Sequence, residues 1–259
     1  MTEQAKVRVR AQYAASGDAY VVSAGHAGGD DLARLVELAA PRSSDRTLDV
    51  ATGGGHVARA LAPLVAHVVA SDLTPEMLGA AERFLAGEGI TNISYQQADA
   101  EALPFPDVSF DLVTCRIAPH HFPDPARFVR EVARVLRPGG RFALLDSTVP
   151  VGDVGDLYNR FEQMRDPSHV RSLPVAEWLA LLAAAGLNVA AVESFAKRHD
   201  FTGWAARARV PKIDLPALAK LLLDAGSVVA EQFRIERDGG TLLAFTDEKT
   251  LFLAHRPVY

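Results

Sequence analysis

Residues 46–72, RTLDVATGGGHVARALAPLVAHVVASD, decide the fold. Residues 47–50 are short, β-branched-rich and apolar apart from Asp49, the composition of a parallel strand buried on both faces. Gly53, Gly54 and Gly55 break that run, residues 56–65 carry apolar side chains at helical spacing, and residues 67–70 form a second apolar run ending in Ser71-Asp72. The reading is strand, glycine turn, helix, strand, with an acid at each strand. Gly53-x-Gly55-x-x-Ala58 fits a dinucleotide-type fingerprint, and Asp72 follows it by about 20 residues, where a ribose-binding carboxylate is expected. Glycines let the backbone approach a ligand, a helix N-terminus offers free N–H groups, and a carboxylate accepts two hydroxyl hydrogens.

Working outward, Asp30-Asp31 read as a helix cap, with Leu32, Leu35, Val36, Leu38 and Ala39 following at 3.6 spacing until Pro41. Thr74-Pro75-Glu76 starts a helix that runs to Ala86 and ends at Gly87 and Gly89. Residues 93–97 are a third strand closed by Asp99, and residues 110–115 a fourth. Pro123-Asp124-Pro125 opens a helix that stops at Pro138-Gly139-Gly140, before a fifth strand at 142–145. This alternation predicts an α/β, Rossmann-like, doubly wound parallel sheet with helices on both faces. After Pro150 the pattern changes to helices at 156–164 and 174–185 around the polar loop RDPSHVR, then a strand at 188–195. Residues 197–228 read as helical, and 239–253 as two strands around Thr246-Asp247-Glu248. One domain is expected over 1–259, with a cofactor-binding core at 26–150 and a sheet completed by 174–196 and 237–257. Residues 1–25, 151–173 and 197–236 would form a helical cap or lid.

With 259 residues, 49% of them hydrophobic, the chain can bury a sizeable core. A net charge of −5 argues against a nucleic-acid partner, which would want a basic stripe. Cys115 is the sole cysteine, so no intrachain disulfide can form and a reducing cytoplasm fits. MTEQAKVRVR lacks the apolar stretch of a secretory signal, and no apolar run is long enough to insert in a membrane. The expected partner is a small-molecule substrate, in a cytoplasmic protein whose oligomeric state is left open.

Four strand ends carry polar groups at one edge: Asp49 with the glycine loop, Asp72, Asp99, and Arg116 with the segment to His121. Ligands of open parallel sheets sit beyond the carboxyl ends of the strands. Asp49 lies ahead of the glycines, within reach of a ligand ammonium, and Asp99-Ala100 suits the exocyclic amine of adenine. An acid for an ammonium, an acid for a ribose and an acceptor for adenine together describe S-adenosyl-L-methionine.

LDVATGGGHVA, VVASDLTPEM, QQADAEALPFPDVSFDLVTCR and VLRPGGRF resemble the class I S-adenosylmethionine-dependent methyltransferases. The nearest branch is that of the ubiquinone/menaquinone biosynthesis methyltransferases, and CRIAPHHFPDP and RDPSHVR are similar to bacterial small-molecule members of it. The resemblance covers residues 30–147 and implies a seven-stranded sheet with an antiparallel last strand. It also implies roles. Asp49, Ala51, Thr52 and the Gly53 to Gly55 loop would hold the methionine part, and Asp72 the ribose hydroxyls. Leu73 and Met77 would pack near the adenosine, Asp99 and Ala100 would bind adenine, and the Arg116 backbone would lie beside the sulfonium.

His120 and His121 are candidate pocket residues or general bases, with His26 and His169 as further candidates. Adjacent residues rarely point at one centre, and no metal-ligand spacing surrounds them, so no metal is expected. Cys115, in mid-strand, reads as core. Phe195, Phe201, Trp204 and Phe233 line an apolar substrate pocket or, more simply, pack the cap. The expected activity is methyl transfer to an O, N or C nucleophile of a small molecule. The rival readings are an NAD(P)-dependent oxidoreductase, which would want a Tyr-x-x-x-Lys pair that is missing, and a non-catalytic nucleotide-binding sensor.

Overall fold

The computed structural model describes residues 2–14 and 29–258. Strands β1 (Arg46–Val50), β2 (His67–Asp72), β3 (Ile93–Gln97), β4 (Phe110–Arg116) and β5 (Leu136–Thr148) are parallel and lie in the order β3-β2-β1-β4-β5. The sheet continues through β8 (Thr241–His255) to the edge strand β6 (Asn188–Asp200), both pairings being antiparallel. The strand order reverses direction between β1 and β4, so a crevice opens there at the carboxyl ends.

Alternation along β1 explains the two layers. Leu48 and Val50 enter a core with Val113, Phe128, Phe142, Trp178 and Phe252, beneath α5 (Pro125–Val135) and α7 (Val175–Ala184). On the opposite face Val68, Ala70, Leu112 and Ala143 meet Leu35, Val57, Leu61 and Leu85 from α2 (Asp30–Ala39), α3 (His56–Leu61) and α4 (Pro75–Gly87). A third apolar cluster joins Tyr158 and Phe161 of α6 (Asp153–Arg165) to Phe201 and Trp204 of α8 (Phe201–Arg207), with Phe233 and Phe245. It is completed by Leu218 and Leu222 of α9 (Leu215–Leu223) and Val229 of α10 (Ser227–Gln232). Helix α1 (Thr2–Ala14) packs against α4.

Several expectations are corrected. The sheet has eight strands rather than seven, because Gly239, at φ +55°, turns the three-residue β7 (Glu236–Asp238) back along the start of β8. Thr246-Asp247-Glu248 do not separate two strands; they lie inside the continuous β8, where all three pair with β6 and Glu248 also pairs with β5. Residues 197–200 are strand, not helix, since β6 runs on to Asp200 opposite Ala244. Asp30 and Asp31 stand in the first turn of α2 instead of capping it; Gly29 is the cap residue. Phe201, Trp204 and Phe233 pack the cap's apolar cluster, and Phe195 packs against the sheet's second core. Cys115 is buried in the sheet. Among the described residues no helix is long and apolar enough to cross a membrane.

Candidate active site

The crevice is a cavity of about 400 Å³ reached by groups from the ends of four strands and from the cap. Asp49 and the loop 51–54 come from β1, Asp72 and Leu73 from β2, Asp99 and Ala100 from the turn after β3, and Arg116 from β4. Met77 lines it from α4, and Lys6 and Tyr13 from α1. His120 and His121 line the far end, with Asp166 and His169 from the loop after α6.

The glycine loop needs its glycines for two separate reasons. Gly53 sits at φ +55° and Gly55 at φ +81°, a region that other residues adopt at a cost. At Gly55 an added Cβ would also stand 2.9 Å from Leu85 Cδ1 and 3.2 Å from Ala81 Cβ, so α4 itself forbids a side chain there. At Gly53 only the Met77 methyl lies near, at 3.7 Å, and that side opens on the cavity. Ala51 (φ +54°) and Ile117 (φ +52°) are left-handed without being glycine, at the ends of the two strands that flank the crevice. Such conformations cost on the order of 1 kcal/mol each. Both residues line the cavity.

Each acid is held in a different way. Asp49 is buried, accepting Thr52 Oγ1–H at 2.6 Å and Thr114 Oγ1–H at 2.8 Å on its two oxygens. Burial pushes its carboxyl up to about 6, against the pull of those hydroxyls. Asp72 accepts the Gly53 N–H at 3.0 Å and the Thr74 N–H at 2.9 Å, one on each oxygen. Burial raises its pKa too, and the two backbone donors oppose that rise. The helix-start contact to Thr74 and the contact to the glycine loop therefore coexist, and each oxygen retains a lone pair. Asp99 accepts the Glu101 N–H at 2.9 Å, while Lys6 Nζ stands 2.6 Å from both Asp99 and Glu101. Burial pulls the Lys6 ammonium down, but its two carboxylates outweigh that and hold it above the usual lysine range. The Arg116 guanidinium pairs with Asp31 at 2.7 Å, and Arg116 is among the residues that line the cavity.

A family profile described as a methyltransferase domain matches residues 48–144. The chain is 41% identical over 184 residues to the uncharacterized methyltransferase YcgJ of Bacillus subtilis, covering 71% of this chain and 73% of that one. It is 36% identical over 177 residues to the demethylmenaquinone methyltransferase of Thermus thermophilus, covering 60% of this chain and 80% of that one. The crystal structure of a candidate methyltransferase from Bacillus halodurans superposes with a TM-score of 0.86 at 41% identity, over 88% of this chain and all of that one. The YcgJ structure superposes with a TM-score of 0.85 at 35% identity, over 87% of this chain and 97% of that one. The chain belongs to the class I S-adenosylmethionine-dependent methyltransferases, in the ubiquinone/menaquinone biosynthesis methyltransferase-like branch.

In this methyltransferase the 3₁₀ turn Pro119–His121 brings the rings of the adjacent histidines to 4.2 Å from each other. His169 joins them, stacked on His120 at 5.4 Å. His121 donates Nδ1–H to the Ser168 carbonyl at 3.0 Å, and its Nε2 lies 2.9 Å from Tyr13 Oη. Burial and the neighbouring His120 lower the His121 pKa to about 4. Burial and the same neighbour lower that of His169 to about 3, with its Nε2 held 2.9 Å from Asn159 Oδ1. The Asp166 carboxyl is lowered: burial raises it, but His121 and the Ser168 donors prevail. His26 lies outside the described residues. Sequence reasoning gave no role to Lys6, Thr114, Asp146 or Asp166. They contact Asp99, Asp49, His120 and Tyr13, partners 26 to 153 residues away that no local pattern announces.

Proposed function

We propose that this cavity binds S-adenosyl-L-methionine along β1, β2 and β3 and transfers its methyl group to a small molecule held under α1 and the cap. The observation that carries the proposal is the convergence of Asp49, Asp72, Asp99 and the glycine loop on one cavity. The residues fit the cofactor. A Cβ-free turn at Gly53 leaves room for a close approach, and Asp72 keeps a lone pair on each oxygen for a diol. Asp49, raised to about 6 with no cation bonded to it among the described residues, is a carboxyl that gains by meeting an ammonium.

When bound, the cofactor supplies a methyl group already activated by the sulfonium. The chain has then to align a nucleophile behind that methyl and keep water out. Leu73 and Met77 give apolar walls for the adenosine, and Ala100 with Asp99 a polar edge for adenine. Tyr13 and Lys6, fastened to opposite ends of the cavity, draw α1 over its mouth. The acceptor is an O, N or C nucleophile, entering at the end walled by His120, His121 and His169.

Calorimetric titration with S-adenosylmethionine, S-adenosylhomocysteine and NADH tests the site. The first two should bind and NADH should not; tight NADH binding with neither of the others refutes the reading. Incubation with methyl-labelled S-adenosylmethionine and a metabolite extract should yield a labelled small molecule. Binding without any labelled product would mean a cofactor sensor in place of a catalyst.

A further inference from the structure

Beneath the acceptor end of the cavity lies a buried carboxylate that the cofactor reading does not use. Asp146, in β5, is completely shielded from solvent. Its Oδ1 is 2.6 Å from His120 Nδ1, and its Oδ2 has no hydrogen-bond partner among the described residues. A carboxylate oxygen accepts, so Nδ1 of His120 carries the hydrogen and the other ring nitrogen, Nε2, is the basic one. A buried anion with half its acceptor capacity unfilled is costly unless positive charge arises beside it. His120, on the cavity side of Asp146, is where that charge can arise.

The neighbouring imidazoles cannot take the role. His121 has both nitrogens engaged, by the Ser168 carbonyl and by Tyr13, and is held neutral to about pH 4. His169, pushed to about 3, is a much weaker base. The charged and titratable groups around His120 are Asp146 from β5, His121 beside it, His169 and Asp166 from the following loop, Glu162 and Arg165 from α6, and Tyr13 from α1. Asp146 is the one that bonds the ring.

We propose that His120 is the general base of the methyl transfer, that Asp146 is its positioning residue, and that the acceptor atom is a hydroxyl oxygen rather than an amine nitrogen. The inference rests on the methyl-transfer reading of the cavity. A neutral amine attacks with its own lone pair, whereas an alcohol, phenol or enol gains from losing its proton as it attacks. The acceptor oxygen bonds to the methyl carbon, the carbon–sulfur bond breaks with its electron pair left on sulfur, and the hydroxyl proton passes to His120 Nε2. Asp146 balances the resulting imidazolium.

The test begins with ¹⁵N-histidine NMR of the whole chain across pH 5–9, with His120→Asn used to assign the His120 signals. In wild type, His120 should show the Nδ1–H tautomer, and Asp146→Asn should weaken its hold on a second proton by about tenfold. The Nε2–H tautomer in wild type, or a titration unmoved by Asp146→Asn, overturns the assignment. Calorimetry with S-adenosylhomocysteine runs alongside. His120→Asn and Asp146→Asn should bind it as wild type does. Failure of wild type itself to bind would overturn the cofactor site and this inference together, whereas normal binding with an insensitive His120 would overturn the base alone. Finally, a panel of phenols, hydroxy acids and amines is offered with methyl-labelled donor. Label should enter hydroxyl compounds, and His120→Asn should lose at least about 100-fold in rate. Labelling of amines only, or at a rate indifferent to His120→Asn, contradicts the proposal.

Discussion

Burial holds the Asp49 carboxyl at about 6, although Thr52 and Thr114 each offer it a hydroxyl. Between about pH 4 and pH 6 the folded chain keeps a proton on Asp49 that the unfolded chain has released, so stability falls as pH rises through that window. A rise of about two units corresponds to on the order of 3 kcal/mol. Asp49→Asn keeps the shape without the charge. Its urea midpoint should exceed that of wild type at pH 7 and converge with it near pH 4, and its affinity for S-adenosylmethionine should drop. Parallel pH profiles for the two proteins would contradict the buried-carboxylate argument. At Asp72 the trade differs, since removing the side chain takes the acceptor from two backbone N–H groups as well as from the proposed cofactor. Asp72→Ala should weaken cofactor binding at least tenfold, about 1.4 kcal/mol, by calorimetry. Undiminished affinity would remove Asp72 from the site. Glycine provides a third residue-scale check. Gly89→Ala, at φ +75° with nothing within 4 Å, should cost about 1 kcal/mol of backbone strain. Gly55→Ala adds a clash with Leu85 and Ala81 and should cost about 1–3 kcal/mol more. Equal urea stabilities for the two variants would show that α4 yields freely.

Among the elements, α1 depends most on few contacts. A helix of its 13 residues is marginal alone. Lys6 ties it to Asp99 and Glu101, Tyr13 to His121, while Val7 stays exposed. Lys6→Ala leaves those two carboxylates without their shared cation, so amide exchange in residues 2–14 should quicken at least about tenfold while the sheet is unaffected. Unchanged protection would mean that the packing of α1 on α4 suffices. The first five strands were legible in the sequence because Pro75, Pro125 and the glycines punctuate apolar runs of unmistakable period. The later elements were harder for physical reasons. Thr246-Asp247-Glu248 read as a turn between two strands, yet Asp247 finds Lys249 at 2.8 Å and Tyr158 at 2.7 Å, so its charge is met within the continuous β8. Likewise β7 is Glu-Arg-Asp, fully exposed at the sheet's edge, and carries no hydrophobic alternation to announce it.

At the scale of the molecule, the sheet edge and the cap meet in one cavity, and their legibility differs for the same reason. Asp49, Asp72, Asp99 and the glycine loop follow strand ends, so strand order alone brings them together. The acceptor end is assembled from β5, α1, the 3₁₀ turn and the loop after α6, which approach one another only through tertiary packing. Asp146 illustrates this: it falls just past the fifth strand read at 142–145, nothing nearby in sequence marks a partner for it, and only the fold sets His120 over it. The most direct measurement is the difference density of S-adenosylhomocysteine in a crystal of the complex. Ribose hydroxyls on Asp72, adenine against Asp99 and Ala100, and the amino-acid end at the glycine loop and Asp49 are predicted. Density lodged elsewhere on the molecule, with that cavity left vacant or filled by the chain's own side chains, would contradict the account.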